Sequence, residues 1–223
     1  MRGRSWGSRP RTRRQQTTGA VTAVPDTPEL TVYIDVKSPF AYLAMEPTRA
    51  LAAAFGIEPV WKPYTLEIPD FLGAVETRNA HQWRKVRYAY MDARRIANTR
   101  GLTVRGPQKI FDSSIVHIGM LRAQDHGRFE PYIDRAFLRF WKRELEIEDP
   151  AAVAAVLDEA GVPSAGFAEW AQGEGRRRHD ALCREAEEIG VFGVPTFVFR
   201  DELFWGSERL DMLRKRIEET LAA

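Results

Sequence analysis

Apolar positions along the 223-residue chain fall into three blocks with different periods. In the first, Thr31-Val32-Tyr33-Ile34-Asp35-Val36 is a short β-branched run with no alternation, which reads as a buried strand. Ser38-Pro39 follows, a serine at the N-cap and a proline at the first helical position. Ala41, Leu43, Ala44, Ala50 and Leu51 then carry a helix to about Phe55, and Gly56 is its stop. Ile57 to Tyr64 reads as a second strand, interrupted by Pro59 and Pro63. Residues 31–64 are thus a β-α-β unit, which favours a parallel pair joined by a right-handed crossover.

The second block is helical. His81 to Arg100 carries an apolar stripe at Trp83, Val86, Tyr90, Ala93 and Ala97, ended by Gly101. Ser113 or Ser114 opens a helix that ends near Gly127, Phe129 to Arg143 is an aromatic-rich one, and Asp149-Pro150 starts another that stops at Gly161. Pro163 to Gln172 and Arg176 to Ile189 complete the block. In the third block, Val191 to Phe199 is strand-like again, Arg200-Asp201-Glu202 is a turn, and Leu203-Phe204-Trp205 returns as the second arm of a hairpin. Gly206 and Ser207 open a last amphipathic helix with Leu210, Leu213 and Ile217 on one face. The order βαβ, helices, ββα predicts an α/β protein with a thioredoxin-like fold: residues 29–65 and 190–223 form the thioredoxin-like domain, and an all-helical domain, residues 66–189, is inserted between its halves.

Residues 1–28 have neither period. They are rich in Arg, Ser, Thr, Gly and Pro, a composition that cannot bury enough apolar surface to offset ordering entropy, so a disordered Arg-rich tail is expected. An organelle transit peptide or a nucleic-acid arm has a similar composition, but a secretory signal needs a longer apolar stretch than Gly19 to Val24. The tail also dominates the charge. Residues 1–20 hold six arginines and no acid; without them a formal +2 becomes −4, so the remainder is mildly acidic, which argues against a nucleic-acid footprint. No run approaches the roughly 18–20 apolar residues of a membrane-spanning helix. A cytoplasmic protein without membrane or nucleic-acid partners is the expectation. The single cysteine, Cys183, excludes a disulfide within the chain and any Cys-x-x-Cys redox or zinc pair. The four histidines have no metal-ligand spacing, and no metal is expected.

Two features suggest chemistry. A hydroxyl at a helix N-terminus, as at Ser38, lies among free N–H groups at the positive end of the helix dipole, where a thiolate is stabilised. Ser38 is also simply a good cap. Pro195 interrupts a strand run, which fits either an edge strand or a cis Val194-Pro195 bond that leaves the Val194 backbone free to pair with an extended peptide.

Taken together these segments are more specific. Asp35-x-x-Ser38-Pro39-Phe40-Ala41-Tyr42-Leu43-Ala44, Val191-Phe192-Gly193-Val194-Pro195-Thr196 and Phe204-Trp205-Gly206-Ser207-Glu208 resemble the 2-hydroxychromene-2-carboxylate isomerase family. That family is a branch of the DsbA-like thioredoxin superfamily related to kappa-class glutathione transferases. The resemblance covers residues 31 to about 220. It implies a glutathione-dependent isomerase, with glutathione or another low-molecular-weight thiol as cofactor, a small aromatic carboxylate as substrate, and a homodimer. It implies that Ser38 hydrogen-bonds the thiol sulfur and that Val194, beside a cis Pro195, pairs with the cysteinyl unit. It further implies that Asn79 lines the active site, that Lys85 lies near the glycine carboxylate, and that Ser207 and Glu208 hold the γ-glutamyl end. Glu208 departs from the family's usual aspartate; the charge is kept but the reach is longer. The same residues have plain structural readings: Asn79 and Ser207 as caps, Glu208 as a first-turn acid, and Lys85 as one of many cations on a solvated helix face.

In the family reaction a thiolate adds to a conjugated double bond, rotation follows, and elimination restores the bond. Trp83, Tyr88, Tyr90, Phe137 and Trp141 suit a flat aromatic substrate. A disulfide oxidoreductase is excluded chemically, because positions 38 and 41 are serine and alanine. A kappa-class-like glutathione transferase and a non-enzymatic DsbA-like thiol-binding protein remain as alternatives. Cys183 and His179 share a helix face; Cys183 reads as a small buried or half-buried side chain with no catalytic role.

Overall fold

A computed structural model describes residues 29–69 and 73–222, so the Arg-rich tail lies outside the described residues. The described strands are β1 (Leu30–Ile34), β2 (Val60–Pro63), β3 (Thr196–Phe199) and β4 (Glu202–Trp205), ordered β2-β1-β3-β4 in one sheet. β1 pairs parallel with β2, with Val32 opposite Trp61, and antiparallel with β3, with Val32 opposite Phe197. β3 and β4 form the hairpin. Every residue of β1 is buried, as expected for a central strand covered on both faces. β2 and β3 are shorter than their apolar runs: residues 57–59 and 191–195 approach the sheet without joining its ladder.

The helices are α1 (Pro39–Ala54), α2 (Ala80–Thr99), α3 (Ser114–Asp125), α4 (Phe129–Lys142), α5 (Pro150–Glu159), α6 (Phe167–Gln172), α7 (Glu174–Glu188) and α8 (Leu210–Leu221). α6 starts at Phe167 rather than near Pro163 because Gly166, at φ 73°, turns left-handed just before it. A 3-10 turn, Ser207–Arg209, precedes α8. α1 packs against α2 and α8, and α7 against α3 and β2. One hydrophobic core runs from β1 and α1 through Phe137, Trp141 and Val156 of the helices to Phe197 and Ile217. No helix among the described residues is long and apolar enough to cross a membrane.

α1 accommodates a proline in its interior. Pro47 has no N–H to give to the carbonyl four residues back, on Leu43. Arg100, just beyond α2, donates to that carbonyl instead at 2.6 Å, which links the partner helix to the strand–helix unit.

Candidate active site

The loop from β1 to α1 is held by its own polar groups. The Ser38 N–H donates to the Asp35 carbonyl at 2.9 Å, and the Lys37 N–H to the Asp35 carboxylate at 2.9 Å. Ser38 is the N-cap of α1, its Oγ accepting from the Ala41 N–H at 3.2 Å. The same hydroxyl donates to the carbonyl of Val194 at 3.3 Å, across 156 residues of sequence. Both residues are buried, and the Val194-Pro195 peptide bond is cis. The Gly206 N–H donates to the Pro195 carbonyl at 2.9 Å, which attaches the start of the Ser207 turn to the same strand.

Beneath this turn lies a polar chain absent from the sequence reading. Asp35 is fully buried. Burial alone would raise its pKa, but the Lys37 ammonium and the Leu66 N–H at 2.8 Å hold the carboxyl well below the usual carboxylate range. The Val36 N–H donates to His117 Nε2 at 3.1 Å, and Asp35 Oδ1 lies 3.3 Å from the same nitrogen. The partners assign the tautomers. His117 carries its proton on Nδ1 and donates to Thr65 Oγ1 at 2.8 Å; the Thr65 hydroxyl donates to His179 Nε2 at 2.8 Å. His179 Nδ1 then donates to the Asp180 carboxylate at 2.9 Å. Burial lowers the pKa of His179, so it stays neutral and keeps its acceptor. Cys183 Sγ lies 3.6 Å from His179 Nε2, and burial pushes its thiol up, away from a reactive thiolate.

Beside the turn opens a cavity of about 420 Å³. Trp83, Tyr90 and Phe111 supply aromatic wall, and Lys37, Arg78 and Arg87 are among its cations; among the described residues no carboxylate lines it. Burial pushes the Tyr90 phenol up to about 12, against the opposing pull of Arg78, so it stays protonated. Two of the aromatics expected here lie elsewhere: Phe137 stacks on Tyr42, with ring centroids 5.3 Å apart, and Trp141 is fully buried against Phe140. Their helix α4 turns its apolar stripe, Tyr132, Ile133, Ala136, Phe137, Phe140 and Trp141, into the core. Tyr88 points to solvent.

The structure therefore brings Ser38, Val194 and Pro195 together. Asn79 caps α2 in a reciprocal capping box, accepting from the His81 and Gln82 N–H groups. Lys85 is exposed. No hydrogen bond or ion pair joins Asn79 or Lys85 to Ser38 or Val194 among the described residues. Ser207 and Glu208 line a groove of about 250 Å³ with Pro47 and Leu51 of α1. The Glu208 carboxylate folds back over Gly206, where a Cβ would collide with it. Lys37, His117 and Thr65 are the polar residues at the site that sequence reasoning missed. Lys37 had one legible signal, a cation next to the capping serine; His117 and Thr65 had none, because their contacts are long-range.

A sheet of this order, with a helix cap meeting the residue before a cis proline, defines a thioredoxin-like site in which serine stands at the helix head. The chain belongs to the DsbA-like thioredoxin domain family, whose match spans residues 29–218. It is similar to the 2-hydroxychromene-2-carboxylate isomerase of Pseudomonas putida, 27% identical over 183 residues, covering 81% of this chain and 90% of that one. The isomerase of the same name from Sphingobium xenophagum is 26% identical over 185 residues, covering 81% and 93%. Among solved structures, a 2-hydroxychromene-2-carboxylate isomerase superposes with a TM-score of 0.72 at 26% identity, over 86% of this chain and 95% of that one. A probable DsbA oxidoreductase from Streptomyces coelicolor reaches 0.71 at 18% identity, over 87% and 90%, a likeness of fold alone.

Proposed function

We propose that this chain is a thiol-dependent isomerase acting on small, conjugated aromatic carboxylates, of the kind its curated relatives are named for. The observation that carries the reading is the meeting of the Ser38 hydroxyl with the Val194 carbonyl at the head of α1. The residues fit a thiol cofactor, glutathione or a similar small thiol. At 3.3 Å the Ser38–Val194 bond is long for an O–H donor, so the hydroxyl can turn to a sulfur at little cost. Pro39 has no N–H and Ala41 gives its own to Ser38, which leaves the Phe40 N–H at the positive end of the helix dipole for an anion. A bound thiol supplies a nucleophilic sulfur able to add reversibly to a conjugated double bond. Ser38 holds that sulfur as thiolate, the Val194 backbone pairs with the cysteinyl unit, and Ser207 with Glu208 receives the γ-glutamyl end. Lys85 takes the glycine carboxylate. Asn79 is the catalytic partner on the substrate side. The aromatic cavity orients the flat substrate.

The test is direct: purified protein is mixed with 2-hydroxychromene-2-carboxylate, with and without glutathione, and ring opening is followed by ultraviolet absorbance. Interconversion that requires the thiol and consumes none of it supports the reading. A stable thioether product would make the protein a transferase, and thiol-independent turnover would end the case for Ser38.

A further inference from the structure

The cavity beside the Ser38 turn holds one cation unlike the rest. Lys37 lines it, yet its side chain is only 7% exposed. An ammonium has three donors. Among the described residues, that of Lys37 makes a single hydrogen bond, to the Phe111 carbonyl at 3.1 Å. The Asp35 carboxylate, at 3.7 Å, lies at ion-pair rather than hydrogen-bond distance, and it is satisfied separately by the N–H groups of Lys37 and Leu66. Asp35 balances the charge, but two of the three donors stay unused among the described residues, and a buried N–H without an acceptor is costly. The other cations of the cavity differ. Lys109 is paired with Glu146 and Glu148. Arg78, half-buried, donates from Nε to the Gly73 carbonyl at 2.9 Å and lies over the Trp83 ring. Arg87 and Arg94 are exposed, where water screens their charge.

We propose that Lys37 is the anion-recognising residue of this cavity, donating to the carboxylate of a flat aromatic ligand whose ring packs against Phe111, Tyr90 and Trp83. The proposal deepens the function proposed above and rests on it only for the choice of an aromatic carboxylate. Lys37 and Ser38 are consecutive, so the same turn that presents the hydroxyl fixes the ammonium, and the ligand's charged end is set at the Ser38 side of the cavity. The rim arginines, by this account, draw anions in without selecting among them.

The experiment compares 2-naphthoate with its neutral amide, 2-naphthamide, as ligands of the full chain, without any thiol, by calorimetry and by quenching of tryptophan fluorescence. The wild type is expected to bind the carboxylate about 10- to 100-fold more tightly, the range of one desolvated charge-assisted hydrogen bond. Lys37→Met should erase that preference and leave naphthamide binding unchanged, while Lys37→Arg should keep part of it. Lys37→Met leaves the Asp35 charge less compensated. If that variant does not fold, the pair Asp35→Asn with Lys37→Met removes both charges and is read in its place. A preference that survives the loss of Lys37 assigns the anion to the arginines and overturns the proposal. So does a wild type that binds both ligands equally, or neither. Because no thiol is present, failure of glutathione-dependent turnover leaves this result standing, and failure here leaves the Ser38 site untouched.

Discussion

Replacing Ser38 with alanine separates what a cap does for the helix from what it does for a ligand. Two bonds disappear, one from the Ala41 N–H and one to the Val194 carbonyl. Loss of an N-cap serine costs about 1 kcal/mol. The Val194 bond is long, so it belongs near the low end of the roughly 0.5–1.5 kcal/mol of a neutral hydrogen bond. Together they predict a loss of about 1–2 kcal/mol. For a domain of this size that lowers Tm by about 2–8 °C. A charge-assisted hydrogen bond to a thiolate is worth about 1.5–3 kcal/mol, so turnover should fall about 10- to 100-fold or more. Asp149, the cap of α5, is an internal control: its carboxylate accepts from the Ala151 N–H at 2.9 Å, in a helix remote in sequence from the site. Asp149→Ala should lower Tm by a similar amount and leave turnover alone. Melting is followed by circular dichroism, thiolate formation by the ultraviolet absorbance of bound glutathione, and turnover by ring opening. If Ser38→Ala behaves as Asp149→Ala does in all three, Ser38 is a cap and nothing more.

Three further outcomes follow from the packing. His179 has a depressed pKa in the folded chain, so the unfolded chain binds its proton more readily. Stability is therefore complete above the ordinary histidine value of 6.5 and falls as pH drops below it, by at most about 1.4 kcal/mol per pH unit; denaturant melts between pH 7 and 5 would show this, and a flat profile would contradict it. Asp35 adds a second loss only once pH falls below its ordinary 3.8, since its folded value is lower still. Thr65→Val keeps the shape of the side chain but deprives His117 Nδ1 and His179 Nε2 of their shared partner; it should cost about 1–3 kcal/mol in urea unfolding, most of it from the fully buried His117. Gly119→Ala would drive a Cβ into the Tyr132 hydroxyl and to 2.8 Å from Val153; a loss of about 1–3 kcal/mol, visible as a lower Tm, is expected, and an unchanged Tm would mean that α3 and α4 are less tightly packed than described.

The sequence alone specified what depends on neighbours along the chain. Helix starts at Ser38-Pro39 and Asp149-Pro150 and stops at Gly56 and Gly101 are local events, governed by backbone dihedrals and capping, and all are where the residues put them; the β3–β4 hairpin was legible too, though β3 begins only at Thr196 and Glu202 belongs to β4 rather than to the turn. The motif pair Ser38-Pro39 and Val194-Pro195 was legible for the same reason: each half is a short run of special backbone residues. Tertiary structure decided the rest. Which aromatics face a cavity depends on how α2 and α4 rotate against their neighbours, so Trp83 and Tyr90 line it while Phe137 and Trp141 fill the core. The Asp35–His117–Thr65–His179 chain joins residues 35, 65, 117 and 179, whose separation in sequence carries no period and no spacing. Lys37 looks like any loop lysine until the fold takes away its water; burial, a property of the packed molecule, leaves its ammonium balanced by Asp35 but with hydrogen-bond donors unused among the described residues.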